Sequence, residues 1–328
     1  MARTSADWSR ESVLVTGCSG FLGAWLTEAL LERGASVVGV VRDAVPASRL
    51  YGAGLDQRMR IVHGSVEDQA LMERAINEYE VGTVFHLAAQ TLVTIANRNP
   101  VSTFTANIAG TWSVLEACRR CPTVHRVVVA SSDKAYGDHE TLPYTEDTPL
   151  QGRHPYDVSK SCADLIALAY HRTYGLPVCV TRCGNLYGGG DLNFDRIVPG
   201  TIQSVLRDER PIIRSDGTYR RDYVFVREAV EAYLLLAEHM TDGALAGEAF
   251  NFSGDNLSAL DMARKISSVM GRGDLAPLVL GRATGEILHQ ALASAKAETR
   301  LGWRRRFSLE DGLRETIEWY ERFLGKRA

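Results

Sequence analysis

Short apolar runs alternate with longer amphipathic stretches along the first half of the chain. The runs predict six strands, at 12–16, 36–41, 60–63, 83–87, 126–131 and 177–182. The stretches between them predict helices at 21–33, 69–79, 100–119 and 156–174. This spacing is typical of an α/β fold with a doubly wound, parallel, Rossmann-like sheet. The carboxyl ends of such strands meet at one edge, where ligands bind.

The alternation of strands and helices ends after Arg182. The segment 184–195 is rich in Gly, Asn and Asp, and the rest predicts one strand at 248–252 and helices at 227–238, 259–270 and 309–324. We therefore expect a dinucleotide-binding domain at 1–183, to which residues 224–256 return. Residues 184–223 and 257–328 are expected to form a smaller C-terminal substrate-binding region.

Composition and charge exclude several classes of protein. The chain has 328 residues, of which 45% are apolar and 23% charged, as is ordinary for a globular protein. A formal net charge of −3 gives no electrostatic case for binding nucleic acid or an anionic membrane. No apolar run reaches the length of a membrane span, and residues 1–10 lack the apolar centre of a secretory signal. We expect a cytoplasmic protein.

The six cysteines do not form a recognisable metal site. Cys118 and Cys121 make a C-x-x-C motif, but no second pair or paired histidines follow at the spacing of a zinc site. Buried or half-buried free thiols are the better interpretation. We predict no metal ion and no disulfide.

A glycine turn joins the first strand to the first helix. Gly17, Gly20 and Gly23 have the spacing G-x-x-G-x-x-G, and glycines allow backbone N–H groups to approach a pyrophosphate at a helix N-terminus. A tight turn without a ligand is the alternative, but the strand–turn–helix context favours a dinucleotide. The expected contacts are Gly17, Ser19, Gly20, Phe21, Leu22 and Gly23, with Leu87, Ala88 and Ala89 at the end of the fourth strand.

The end of the second strand bears on the choice between NAD and NADP. A carboxylate there would bond the adenosine ribose and repel a 2′-phosphate. This chain has Arg42, which favours NADP because a guanidinium can pair with a phosphate. Asp43 could still reach the ribose, and Arg42 could simply be a solvated surface residue, so both dinucleotides stay open.

Ser132, Tyr156 and Lys160 are the candidate hydride-transfer residues. Tyr156 and Lys160 are four positions apart on a predicted helix, so they share one face. A tyrosine pKa near 10 is too high for a base, and we expect Lys160 and a positive nicotinamide ring to lower it. Such pairs are common on helix surfaces, but the glycine turn and Ser132 after the fifth strand favour catalysis.

These motifs resemble those of the extended short-chain dehydrogenase/reductases over essentially the whole chain. The matching pieces are the glycine turn, His86 to Ala89, Asn107, Ser132, Tyr156-x-x-x-Lys160 and Leu301-Gly302-Trp303. Within that family the chain is similar to the nucleotide-sugar 4,6-dehydratases, above all the CDP-glucose 4,6-dehydratases. That likeness lies in the segments 88–93, 132–136 and 184–199.

The resemblance implies an NAD(P)-dependent hydro-lyase that acts on a nucleotide-diphosphate hexose. Tyr156 would take the 4-hydroxyl proton while hydride leaves C4, after which water is lost across C5 and C6. Hydride would then return to C6 and a proton to C5. The cofactor would stay tightly bound and be recycled in each turnover. Asp133 is the expected acid for the 6-hydroxyl. Lys134 stands where many of these enzymes carry a glutamate base.

The role of Lys134 stays open at this stage. A lysine acts as a base only when it is neutral, which requires a depressed pKa. Lys134 could instead stabilise the enolate as a cation or position water. A further alternative is that Asp133 and Lys134 are two solvated charges on an exposed turn.

The resemblance also implies the remaining contacts. Gln90, Asn185, Arg196 and Arg221 are expected to bind substrate, the arginines at the diphosphate. Ser65 and Val66 are expected beside the cofactor, although Ser65 replaces an aspartate often found there. The helices at 100–119 and 156–174 are expected to form a homodimer interface. The nucleotide base and the hexose are not specified by any motif.

Two other functions fit part of the pattern. A C4 epimerase of the same family would share Tyr156 and Lys160 but would have no use for Asp133 and Lys134. A non-catalytic cofactor-sensing protein would need the glycine turn but not Ser132, Tyr156 and Lys160. The complete set therefore favours the dehydratase.

Overall fold

A computed structural model describes residues 7–240, 243–282 and 287–325. Its strands are β1 Ser12–Thr16, β2 Ser36–Val41, β3 Arg60–His63, β4 Thr83–His86, β5 Arg126–Ala130, β6 Val178–Cys183, β7 Asn185–Tyr187, β8 Ile212–Ile213, β9 Arg220–Phe225, β10 Ala249–Phe252, β11 Asp255–Ser258 and β12 Leu278–Val279. Its α-helices are α1 Phe21–Glu32, α2 Arg49–Gly52, α3 Gln69–Glu78, α4 Val93–Arg98, α5 Pro100–Phe104, α6 Gly110–Arg120, α7 Pro155–Tyr174, α8 Ile197–Leu206, α9 Val226–His239, α10 Ala259–Val269, α11 Ala295–Leu301 and α12 Leu309–Gly325.

Seven strands form a parallel central sheet in the order β10-β6-β5-β4-β1-β2-β3. The strand order reverses between β1 and β4, and the crevice at such a switch point is where α/β sheets bind ligands. Strand residues are almost all buried, as expected for a sheet covered on both faces. The predicted doubly wound parallel fold is confirmed.

Helices cover both faces of the central sheet. Successive residues of β1 point alternately to the two helical layers. Val13 and Val15 pack in one cluster with Leu26 of α1 and Leu234 of α9. Leu14 packs in a second cluster on the other face, with residues of α3, α6 and α7. The period of two along a strand therefore explains why β1 is apolar throughout.

The later part of the chain adds two smaller sheets and a third apolar cluster. One sheet has the order β11-β9-β7 and the other pairs β12 with β8. The cluster joins α8, α10 and α12 through residues such as Ile202, Ile266 and Leu313. Strand β10 pairs with β6, so residues 249–252 lie in the central sheet. The division into two functional regions stays a prediction.

Several helical segments differ from the prediction, and the short helices α2, α4 and α11 were not predicted. The helix predicted at 100–119 consists of α5, a π-helical segment at Thr105–Ala109 and α6. Helix α8 was not predicted, because Pro199 and Gly200 are usually helix breakers. Pro199 is tolerated because it is the third residue of α8, where a backbone N–H has no partner within the helix.

Two further expectations concern the chemistry of the cysteines and the location of the protein in the cell. All six cysteines are free thiols, and no group of three potential metal-ligating side chains occurs within the described residues. No helix in that part of the chain is long and apolar enough to cross a membrane. Residues 1–6, part of the segment examined for a secretory signal, lie outside the described residues. The cytoplasmic location stays a prediction.

Candidate active site

The carboxyl ends of β1, β4 and β5 open into a cavity of about 960 Å³. Every residue predicted for the site lines it except Asp133. The lining includes Gly17, Ser19, Gly20, Phe21, Leu22, Gly23, Arg42, Ser65, Val66, Leu87, Ala88, Ala89, Gln90, Ser132, Lys134, Tyr156, Lys160, Asn185, Arg196 and Arg221. Residues at the edge of the central sheet and residues from the later part of the chain therefore line the same cavity.

The glycine turn has the geometry that close approach of a phosphate requires. Gly17 has φ +72°, and a Cβ there would lie 2.8 Å from the backbone nitrogen of Ala88. A Cβ on Gly23 would overlap the carbonyl oxygen of Gly17. Gly20 is the N-cap of helix α1 and provides no side-chain hydrogen bond, so the first N–H groups of the helix are available at the cavity. These features fit the pyrophosphate of a dinucleotide.

The expected adenosine end contains two neighbouring pairs of polar side chains. The Arg42 guanidinium lies 2.6 Å from the Asp43 carboxylate, and both are exposed. The Ser65 hydroxyl donates a hydrogen bond to the Glu67 carboxylate. Glu67 lines the cavity and was not predicted. It places a carboxylate beside Ser65, where the family often has an aspartate.

Tyr156 and Lys160 are held by contacts within the central fold. Both belong to α7, and the Lys160 Nζ donates to the Ala130 carbonyl at 2.8 Å, at the end of β5. The Asn107 amide donates to Ser159 Oγ at 2.8 Å and accepts from the Gln90 backbone N–H at 2.6 Å. Asn107 lies in the π-helical segment, a feature often found at functional sites.

The pKa of Tyr156 shifts in the opposite direction from the one expected. Burial raises the pKa of Tyr156 to about 12, opposed by the charge of Arg196 and a hydrogen bond with Ser132. Burial also lowers the pKa of Lys160 to about 8, opposed by Asp164. Desolvation dominates at both residues in the protein alone. The lowering expected from Lys160 together with a bound nicotinamide ring stays a prediction.

Asp133 lies behind the cavity wall, in a 3₁₀ turn that follows β5 directly. Only 1% of its surface is exposed, so the alternative of a solvated turn is wrong for this residue. The Ser132 hydroxyl donates to Asp133 Oδ1 at 2.9 Å, while Asp133 Oδ2 is buried without a hydrogen-bond partner. Burial raises the pKa of Asp133, opposed first by the Lys134 charge. A buried carboxyl group with a raised pKa can carry a proton.

Lys134 lines the cavity from the same turn. Its Nζ donates a hydrogen bond to Gln290 Oε1 at 2.8 Å. Gln290 was not predicted, and nothing in the sequence could indicate it, because the two residues are 156 positions apart. This contact brings the later part of the chain against the turn that carries Asp133.

The predicted substrate residues differ in their surroundings. Arg196 pairs with Asp191 at 3.1 Å and is partly exposed at the cavity. Arg221 is buried, and its guanidinium donates to the backbone carbonyls of residues 220, 287 and 288. The Arg221 side chain therefore fastens the segment after residue 286 to β9, in addition to lining the cavity.

Asp157 is a third residue, after Glu67 and Gln290, that was not predicted from the sequence. It lines the cavity next to Tyr156 and is 4% exposed. Burial raises its pKa, opposed first by the charge of Lys134 and then by that of His154. It also accepts a hydrogen bond from the backbone of His154, the N-cap of α7. That bond is a helix-capping contact, which is the usual reason for an acid at this position.

Comparisons with known proteins agree with this geometry. The family model described as GDP-mannose 4,6 dehydratase matches residues 14–316. The CDP-glucose 4,6-dehydratase of Salmonella typhimurium is 31% identical over 97% of this chain and 92% of that protein.

Two solved structures share the fold over nearly the whole chain. A dTDP-glucose 4,6-dehydratase from Streptomyces venezuelae, solved with NAD bound, has a TM-score of 0.86 and 29% identity, covering 96% of this chain and 98% of that one. A UDP-glucose 4-epimerase from Thermotoga maritima, solved with UDP-glucose, has a TM-score of 0.87 and 30% identity, covering 95% and 99%.

Proposed function

Because the chain belongs to the GDP-mannose 4,6 dehydratase family, we propose that it is a nucleotide-sugar 4,6-dehydratase. It converts a nucleotide-diphosphate hexose into the corresponding 4-keto-6-deoxyhexose with loss of water. The observation that carries this proposal is the turn that follows Ser132, which places Lys134 on the cavity wall that Ser132 and Tyr156 also line and Asp133 directly behind that wall. An acid and an amine at this position suit elimination.

Oxidation at C4 is assigned to Ser132, Tyr156 and Lys160. A bound nicotinamide dinucleotide supplies the hydride acceptor for C4 and the hydride donor for C6, and its positive ring would oppose the raised pKa of Tyr156. Tyr156 receives the proton of the 4-hydroxyl, and Ser132 hydrogen-bonds the same oxygen. Lys160, held by the Ala130 carbonyl, contributes positive charge beneath Tyr156.

Elimination of water is assigned to Asp133 and Lys134. The 4-ketone acidifies the C5 hydrogen, which Lys134 removes. Asp133 donates its proton to the departing 6-hydroxyl through Oδ2, the oxygen that has no hydrogen-bond partner in the fold. The raised pKa of Asp133 supports this role, because an ionised carboxylate could not donate a proton.

The cofactor is proposed to be NAD, tightly held and recycled in each turnover. The dehydratase from Streptomyces venezuelae was solved with NAD. The preference for NADP expected from Arg42 has no support, since Asp43 neutralises the Arg42 guanidinium at 2.6 Å. Asn185, Arg196, Arg221 and Gln90 line the part of the cavity proposed for the nucleotide-diphosphate hexose.

A C4 epimerase is the second candidate function, supported by the similarity to the UDP-glucose 4-epimerase structure. Epimerisation needs proton and hydride exchange only at C4, which Tyr156 and Lys160 provide. It gives no task to the buried Asp133 and its partner Lys134. The dehydratase is therefore the better assignment.

A panel of substrates tests the proposed function. The purified protein is incubated with CDP-, GDP-, dTDP- and UDP-hexoses without added oxidant, and its bound dinucleotide is released and identified. We expect NAD and, with at least one substrate, a 4-keto-6-deoxy product that absorbs in alkali. Inversion at C4 without dehydration would identify an epimerase, and no conversion of any of them would refute both candidates.

We also propose that the chain forms a homodimer through α5, α6 and α7. Large apolar side chains of these helices are exposed, at Val101, Trp112, Leu165 and Tyr174. Such residues outside the core mark an interaction surface when they cluster.

Substitution of Leu165, which is 56% exposed, tests the dimer. Leu165→Asp places a charge in the proposed interface, and we expect light scattering to show a monomer where the unaltered protein is a dimer. Ile212→Asp changes a similarly exposed residue, 58%, outside the interface and should leave the dimer intact. A monomeric unaltered protein, or a Leu165→Asp variant that stays dimeric, would contradict this assignment.

A further inference from the structure

We propose that Gln290 is a positioning residue for Lys134. Its neutral side-chain amide holds the Lys134 amine toward the sugar and favours the charged form of that amine less than a carboxylate would. This inference rests on the proposed dehydratase function and deepens it, because it explains how a lysine can serve where a base is needed.

The contact is short and partly buried, and its acceptor lies in the protein interior. Lys134 Nζ donates to Gln290 Oε1 at 2.8 Å, and Gln290 is only 1% exposed. The Nε2 group of the same amide is buried without a hydrogen-bond partner. A buried amide whose N–H donor is unused costs stability, so packing alone gives no reason for a glutamine here. The hydrogen bond that its oxygen accepts from Lys134 gives a reason for a glutamine at this position.

The backbone around Gln290 is fixed independently of its side chain. The Gln290 N–H donates to the Arg220 carbonyl at 3.1 Å, and the Gln290 carbonyl accepts from Asn256 Nδ2 at 2.7 Å. The same Asn256 group donates to Asp222 Oδ1 at 3.0 Å, while Asp222 Oδ2 accepts from the Leu292 N–H at 2.6 Å. Gln290 thus reaches Lys134 from a segment anchored on both sides.

The charges around Lys134 explain why a neutral acceptor matters. Asp133 in the same turn and Asp157 on α7 both have pKa values that the Lys134 charge lowers, so both carboxyl groups lie near the amine. Arg221 on β9 and His154 at the start of α7 bring positive charge to those two carboxyl groups. A third carboxylate, at position 290, would bond the ammonium directly and raise its pKa.

Two substitutions of Gln290 separate its effect on the orientation of the Lys134 amine from its effect on the charge of that amine. Gln290→Glu keeps the acceptor but adds a negative charge. We expect the acid limb of the kcat/KM profile to move to higher pH by about one unit or more, since an adjacent opposite charge raises a lysine pKa by that order. Gln290→Met removes the acceptor at similar length, and we expect kcat to fall about tenfold with KM and the pH profile little changed.

Controls make the result specific. Gln151→Glu is the same chemical change at an exposed glutamine whose Nε2 donates to the Asp138 carbonyl at 3.0 Å, and it should leave the pH profile unmoved. A purely structural role for Gln290 would lower thermal stability in both variants without shifting the Gln290→Glu profile. An unshifted profile in folded Gln290→Glu, or unaltered kcat in Gln290→Met, would overturn the proposal.

The unaltered protein distinguishes failure of this inference from failure of the proposed function. If it dehydrates a nucleotide-hexose while the Gln290 variants behave like it, only the role of Gln290 is refuted. If it dehydrates none of the nucleotide-hexoses, the proposed function is refuted and the inference with it. Should Gln290→Glu fail to fold, the kcat of Gln290→Met decides.

Discussion

Replacement of Tyr156 by phenylalanine is expected to lower kcat by about 10³-fold, within the range that a positioned acid or base contributes. Phenylalanine keeps the buried ring and removes the hydroxyl that receives the 4-hydroxyl proton. C4 oxidation is the first chemical step, so neither reduced nicotinamide nor a 4-keto sugar should form. Stopped-flow absorbance of the reduced nicotinamide and product analysis measure both quantities.

Tyr170→Phe is a matched control for this substitution. Tyr170 lies on the same helix α7, and its hydroxyl bonds Glu116 at 3.3 Å outside the cavity lining. Loss of that hydroxyl should leave kcat and the bound cofactor unchanged. Normal turnover in Tyr156→Phe would remove Tyr156 from the mechanism.

Substitution of Asp133 or Lys134 should stop the reaction at a later step. In Asp133→Asn and Lys134→Ala we expect C4 oxidation to continue while elimination slows by about 10²–10⁴-fold. Reduced cofactor and the 4-keto-hexose should therefore accumulate in a single turnover, in contrast to Tyr156→Phe. Rapid quench with analysis of the sugar, together with nicotinamide absorbance, measures this accumulation.

Stability is not expected to account for the loss in Asp133→Asn. Burial raises the Asp133 pKa and so favours its neutral form, and a neutral amide of the same shape therefore adds no buried charge. Asp138→Asn, at an exposed position in the following loop, is the control and should turn over normally. Unaltered elimination in both Asp133→Asn and Lys134→Ala would exclude this pair from the mechanism and would support the epimerase.

The parts of the site that depend on local pattern could be predicted from the sequence. The glycine turn, Ser132 after an apolar strand and the Tyr156–Lys160 pair are defined by spacings of a few residues. Parallel strands then bring these positions to one edge of the sheet, so their meeting in one cavity follows from the fold.

The contacts that depend on distant segments could not be predicted. Gln290 reaches Lys134 across 156 positions, through a segment whose place is set by Asp222 and Asn256. The direction of the Tyr156 pKa shift depends on how completely the helix is buried, which apolar periodicity does not measure. Asp157 carried no signal, because an acid in the first turn of a helix is usually a cap.

Asp133 is the residue whose interpretation the structure changes most. As the expected acid for the 6-hydroxyl, it should lie beside the sugar. It lies instead behind the cavity wall, where the fold itself buries it and leaves Oδ2 without a partner. Lys134 takes the position at the cavity surface. The fold alone therefore raises the pKa of this acid, before any substrate binds.

The central claim is that one hydride moves from C4 to C6 of the same sugar, which deuterium at C4 of the nucleotide-hexose tests directly. Mass spectrometry and NMR of the product locate the label after turnover in ordinary water. The proposed mechanism predicts deuterium at C6 of a 4-keto-6-deoxy product and solvent hydrogen at C5. Deuterium retained at C4 of an inverted hexose, with no loss of water, would contradict it.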